Sequence, residues 1–242
     1  MEIKKNKKLD LDMPVFTCDY SLAPHLEKYD MLNFLNGFRF TGFIGKPASG
    51  KTSLMISLLT GRKKQKVFRK VFNHVIVVMP TNSRNSLKVN PFEKHHPDKM
   101  FDDLNLNTIS IIYQQLEQAA SEKETTLLIL DDVGASLKNH AILNTLQKII
   151  YNRRHLKVNI FVLLQNFTSI PLSVRKLFNN LILFKPSKKE FENLFDELFE
   201  DHKNKIIDLM KFSYQKPHDY LFLNVDTQRI FNQDFDEILL DE

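Results

Sequence analysis

The sequence predicts an α/β domain, a mainly parallel sheet sandwiched between helices. Seven short apolar runs, at residues 38–44, 75–79, 109–113, 127–130, 160–164, 181–184 and 220–225, are mostly continuous rather than alternating. That pattern suits strands buried on both faces of a parallel sheet. Helical patterns lie between many of them, and the crossovers are long enough to return each strand parallel to the last, which gives three layers.

Composition sets the outer bounds. At 242 residues the chain is one large domain, or one with a small appendage, and 43% apolar with 26% charged residues excludes a disordered or fibrous protein. Cys18 is the single cysteine, so no internal disulfide and no cysteine-based metal site can form, which points to a reducing compartment. The basic start, MEIKKNKKLDLDMP, lacks the apolar core of a secretory signal. No apolar run approaches the roughly 18–20 residues of a membrane span, and a soluble intracellular protein is expected. The formal charge is +5, unevenly spread. Arg62, Lys63, Lys64, Lys66, Arg69 and Lys70 form a basic cluster, and Lys4, Lys5, Lys7 and Lys8 a second; after Val225, six acids face Arg229 alone. Basic clusters of this kind either lie solvated or neutralise phosphates.

The first run, 38–44, leads straight into Gly45-Lys46-Pro47-Ala48-Ser49-Gly50-Lys51-Thr52, a complete G-x-x-x-x-G-K-[ST] motif, with Ser53 opening the helix of about residues 52–59. The glycines let the backbone curl until successive N–H groups point at phosphate oxygens. Lys51 is placed to reach β- and γ-phosphates, and the Thr52 hydroxyl to hold Mg²⁺. The helix turns its positive N-terminus to the same anion. Residues 45–53 therefore form the expected binding site for ATP.

The run at 75–79 reads as a strand, and residues 80–107, rich in turn formers, as a long functional or partly disordered loop. His95 and His96 lie there without the carboxylate spacing of a metal site. The run at 127–130 ends in Asp131 and Asp132, a buried strand delivering charge at the sheet edge where ligands of open α/β sheets bind. Asp131 is expected to hold Mg²⁺ through water, and Asp132 to polarise the attacking water. Ile142, Leu143, Leu146, Ile149 and Ile150 share one helical face, a core stripe, and that helix ends in Arg153 and Arg154. An arginine pair there either answers the helix dipole or supplies an arginine finger to a neighbouring subunit; Arg175 is a third candidate. The run at 160–164 ends in Gln165, whose amide both donates and accepts and can orient water at a γ-phosphate. Phe191, Leu194, Phe195, Leu198 and Phe199 make a second core stripe.

Taken together, GKPASGKT, VIVVMPTNS, LLILDDVGASL, NRRHLKVNIFVLLQN and PLSVRKLFNNLILF resemble the genome-packaging ATPases of nucleocytoplasmic large DNA viruses, virophages and polinton-like elements. These belong to the FtsK/HerA group of P-loop motors. The resemblance implies a P-loop NTPase of RecA-like fold, with an extra strand between the P-loop strand and the Walker B strand. It implies Lys51 and Thr52 as Walker A residues, Asp131 and Asp132 as the Walker B pair, Gln165 as sensor, and Arg154 or Arg153 as a finger given in trans. Asp132 departs from the glutamate that related motors often carry, a shorter reach to water. The implied partners are double-stranded DNA bound without regard to sequence, further copies of the chain in a ring, and capsid or vertex proteins, with no membrane. The implied place of action is the virus factory in the host-cell cytoplasm, or the virion.

On this reading residues 1–37 are an N-terminal extension, 38–225 the ATPase domain and 226–242 an acidic tail. Two other functions share the motif: a nucleotide-gated assembly or scaffold protein with slow hydrolysis, and a nucleotide kinase that closes arginines over the phosphates.

Overall fold

Alternate residues of the central strands go to opposite sides of the sheet, and both sides are covered. The computed structural model describes residues 35–61, 67–85, 87, 91–199 and 205–239. Its strands are β1 (Phe40–Ile44), β2 (His74–Val78), β3 (Met100–Phe101), β4 (Thr126–Asp131), β5 (Val158–Leu164), β6 (Asn180–Phe184), β7 (Tyr220–Asn224) and β8 (Arg229–Phe231). They form one sheet in the order β3-β2-β4-β5-β1-β6-β7-β8. The pairs among β1–β6 are parallel, whereas β7 and β8 run antiparallel. The helices are α1 (Lys51–Thr60), α2 (Thr81–Asn85), α3 (Leu106–Ser121), α4 (His140–Tyr151), α5 (Leu172–Arg175), α6 (Lys188–Leu198) and α7 (Ile206–Ser213).

One face of β5 sends Val158, Ile160, Val162 and Leu164 into a core shared with α3, α4, α6 and α7. The other face sends Phe161 and Leu163 into a second core with Met55 and Leu58 of α1. Two buried faces explain why the strands read as unbroken apolar runs rather than alternating ones. Asn139 caps α4, its side chain accepting from the Ala141 and Ile142 amides, and Ile142, Leu143, Leu146, Ile149 and Ile150 are all buried beneath it.

β5 lies between β1 and β4, so the strand following the phosphate loop's strand in space is not the one carrying the acids. This is the RecA-like order expected from the resemblance, and the α/β fold class stands.

Three local expectations need correction. The run at 109–113 is not a strand but part of α3, capped by the Asn105 side chain on the Thr108 amide. Its buried residues Ile109, Ile112, Leu116 and Ala119 follow a helical spacing that extends past the apolar run, and a short run carries no period of its own. The segment 80–107 is built rather than loose where described. It contributes α2 and β3, buries Phe92, and ties His95 through its Nε2 to the Val75 carbonyl on β2. The sheet also runs past residue 225, because β8 pairs with β7, and Arg229 forms a two-pronged ion pair with Glu237. The basic residues 4–8 and 62–66 lie outside the described residues, while Arg69 and Lys70 are exposed. No helix among the described residues is long and apolar enough to cross a membrane.

Candidate nucleotide site

At the carboxyl end of β1 the chain curls through residues 45–50 into α1. The Gly45 amide donates to the Leu164 carbonyl at 3.1 Å, tying the loop to the tip of β5. Its two glycines answer different needs. A Cβ on Gly45 would lie 2.7 Å from both Phe184 Cβ and Ser49 Oγ, closer than atoms can approach, whereas Gly50 takes φ 108°, a left-handed conformation that side chains resist. No side chain caps α1 and its first turn holds no acid, so its first amides stay available to an anion. Ser49 Oγ is buried without a hydrogen-bond partner among the described residues.

Lys51 folds back over this loop, its Nζ donating to the Gly45 carbonyl at 2.5 Å and the Lys46 carbonyl at 3.0 Å. Burial pulls its pKa down, while Asp131 and Asp132 pull it back up. Asp131, the last residue of β4, is 9% exposed. Burial, with Asp132 beside it, pushes its carboxyl up to about 6 against the opposing pull of Lys51. Asp132 bends away in a left-handed conformation (φ 54°), its amide hooked to the Leu163 carbonyl at 3.2 Å and its side chain exposed. Gln165, one residue past β5, donates from Nε2 to Asp132 Oδ1 at 3.4 Å.

These groups line one open cavity of about 670 Å³ with Thr52 and Ser53. The structure thus gathers residues 47–53, Asp131, Asp132 and Gln165 at one sheet edge, as the motif spacing implies. Its remaining wall was not legible in the sequence: Ser83 and Leu87 come from the segment after β2, and Phe184, His218 and Tyr220 from the β6–β7 side. Ser83 and Phe184 end segments that carry the family resemblance and Tyr220 opens an apolar run, but their spacing assigns them no phosphate-loop role; the strand order brings them there.

The arginines lie elsewhere. Arg153 and Arg154 precede β5, at the opposite end of the sheet from its own chain's cavity, about 20 Å away for a seven-residue strand. Arg153 is half-buried and committed to backbone, with Nε on the Phe38 carbonyl at 2.9 Å and Nη1 on the Ile150 carbonyl at 3.0 Å. Arg154 is exposed. Arg175 grips Glu197 through two 2.8 Å bonds, donates to the Ile170 carbonyl and stacks over Phe167, a brace between α5 and α6.

Thr52 and Asp131 present oxygen donors, the chemistry of a Mg²⁺ site completed by substrate phosphates and water. Burial foremost, and then Asp132 beside it, raise the Asp131 carboxyl against the pull of Lys51; a divalent cation bound there would favour its charged form. The residues present fit that ion. Among the described residues no three His, Cys, Asp or Glu side chains cluster to hold a metal by themselves.

A phosphate loop at the tip of β1, acids at the tip of β4 and a polar amide on the strand between them define a P-loop NTPase of RecA-like fold. The chain belongs to the Poxvirus A32 protein family, which matches residues 27–236. The viral packaging family expected from the sequence is thereby borne out. No curated protein matches. Among solved structures, the genome packaging NTPase B204 from Sulfolobus turreted icosahedral virus 2, in complex with ATP-gammaS, superposes with TM-score 0.59 at 16% identity, over 83% of this chain and 98% of that one. The DNA-packaging ATPase B204 from Sulfolobus Turreted Icosahedral Virus gives the same values. EccC (ATPases 2 and 3) of Thermomonospora curvata gives 0.51 at 10% identity, over 85% of this chain and 37% of that one. At these identities the likeness is one of fold.

Proposed function

We propose that this genome-packaging ATPase hydrolyses ATP to drive double-stranded viral DNA into a preformed capsid, acting as a ring of identical subunits in the infected cell's cytoplasm. The observation that carries the reading is the convergence of Lys51, Asp131, Asp132 and Gln165 on one cavity in a chain of this family. The family and the packaging NTPases of like fold support the DNA and capsid partners.

In the proposed reaction the loop amides and Lys51 hold the β- and γ-phosphates. Asp132 and Gln165 orient a water whose oxygen attacks the γ-phosphorus as the bond to the β–γ bridging oxygen breaks, giving ADP and phosphate. Thr52, and Asp131 through water, would hold Mg²⁺, which would supply charge neutralisation at the phosphates. The shorter Asp132 side chain is extended by its contact with Gln165, so the two act as one polar unit toward water. Arg153 is half-buried and bonded to backbone carbonyls, whereas Arg154 is exposed; exposure favours Arg154 as the finger offered to the next subunit's cavity.

Of the arginines a kinase would close over the phosphates, Arg153 and Arg175 make contacts within the fold, which disfavours that reading. The nucleotide-gated scaffold differs in outcome: it predicts assembly with negligible turnover. The test is ATP-driven displacement of a triplex-forming strand from linear duplex DNA. Displacement that needs ATP and an intact Lys51 supports the motor; none, beside nucleotide-dependent assembly, supports the scaffold.

A further inference from the structure

The turn before β7 reaches back to the phosphate loop across 169 residues of sequence. His218 Nδ1 lies 3.0 Å from the Ser49 carbonyl oxygen. A carbonyl only accepts, so Nδ1 carries the proton and donates. Among the described residues no peptide bond is cis, and in a trans peptide the C=O and the following N–H point in opposite directions. Holding the Ser49 carbonyl toward His218 therefore turns the Gly50 amide the other way and fixes the direction in which this phosphate-loop amide can donate.

The turn is constructed to present this ring. His218 takes φ 69°, a left-handed conformation uncommon outside glycine that Asn, Asp and His adopt more readily than other residues. The buried Asp219 side chain accepts from the Lys216 amide at 2.6 Å, and the Asp219 amide donates to the Lys216 carbonyl. His218 itself is exposed and lines the nucleotide cavity, with Nδ1 3.6 Å from where a Gly50 Cβ would stand.

We infer that His218 is a positioning residue for nucleotide binding, a clasp that sets the Ser49–Gly50 peptide in its phosphate-binding orientation and couples the β6–β7 turn to the phosphate loop. This rests on the nucleotide reading of the cavity. Without the clasp the peptide is free to rotate, and part of the binding free energy goes into reorienting it.

His218→Gly keeps the left-handed turn relaxed but removes the donor. His218→Asn tolerates the same conformation and places its Nδ2 where the imidazole Nδ1 stood. Equilibrium binding of a fluorescent ATP analogue should weaken about three- to tenfold in His218→Gly, the range of one lost hydrogen bond, with the melting temperature without nucleotide unchanged. His218→Asn should recover most of that loss, and KM for ATP should move with affinity while kcat changes little. Wild-type affinity in His218→Gly, or no recovery in His218→Asn, while Lys51→Ala still loses binding, overturns the clasp alone. Unchanged binding in Lys51→Ala overturns the nucleotide reading and the clasp with it.

Discussion

Gln165 and Asp132 meet across the tips of two adjacent parallel strands, amide nitrogen to carboxylate at 3.4 Å. The register that pairs Asp131 with Leu163 sets both residues beyond the sheet edge. The contact uses one amide proton, leaving the amide oxygen to accept from water and the second carboxylate oxygen to take part in orienting it. Replacing Gln165 by Ala should cut single-turnover hydrolysis about 10–100-fold while nucleotide affinity stays within about twofold, because the group acts on water rather than on bound phosphate. A large loss of affinity with little change in the chemical step would place Gln165 in binding instead.

Asp131 stands in a different balance. Its carboxyl is buried and pushed up to about 6, so at neutral pH the nucleotide-free protein carries an incompletely compensated charge. Asp131→Asn removes that charge at almost constant volume. Thermal melting without nucleotide should show a gain on the order of 1–2 kcal/mol, while Mg²⁺-dependent hydrolysis falls by at least about 100-fold. Destabilisation would mean that the carboxylate is internally satisfied and the cation argument is wrong.

The neighbouring arginines separate by the same logic of partners. Arg153→Ala leaves the Phe38 and Ile150 carbonyls short of a donor, and urea unfolding should report a loss of about 1–3 kcal/mol. Arg154→Ala, at an exposed position, should leave stability within about 0.5 kcal/mol and instead reduce turnover. The reverse pattern would exchange their roles.

In the proposed function, the basic residues that follow α1 in sequence contact DNA backbone, reading charge and not bases. Reversing Lys63, Lys64 and Lys66 to Glu should weaken duplex binding and flatten its dependence on salt, since fewer counterions are released. Unchanged affinity and slope would remove this segment from the DNA path.

Much of the site was legible because phosphate binding places local demands on sequence: two glycines, a lysine and a hydroxyl at fixed spacing between a strand and a helix. Asp131, Asp132 and Gln165 were legible because each ends an apolar run, and parallel strands deliver their ends to one edge. The misreading of 109–113 had a physical source: five residues without an internal period look the same in a strand as in a helix, and only Leu116 and Ala119, outside the run, reveal α3. Phe184 and Tyr220 were legible as strand residues but not as walls of the nucleotide cavity, nor was His218, since their place beside the loop depends on β6 lying next to β1 and on β7 turning back antiparallel. Arg153 carried a signal with two meanings, and its bonds to the Phe38 and Ile150 carbonyls favour the structural one.

The central claim is that ATP turnover is coupled to duplex DNA through neighbouring subunits. Steady-state hydrolysis with and without long double-stranded DNA, for wild type, Lys51→Ala and Arg154→Ala, tests it most directly. DNA should strongly stimulate the wild type and neither variant, with partial recovery when the two are mixed, because Lys51→Ala subunits still offer Arg154 to intact cavities. Hydrolysis indifferent to DNA, with no recovery on mixing, would contradict it.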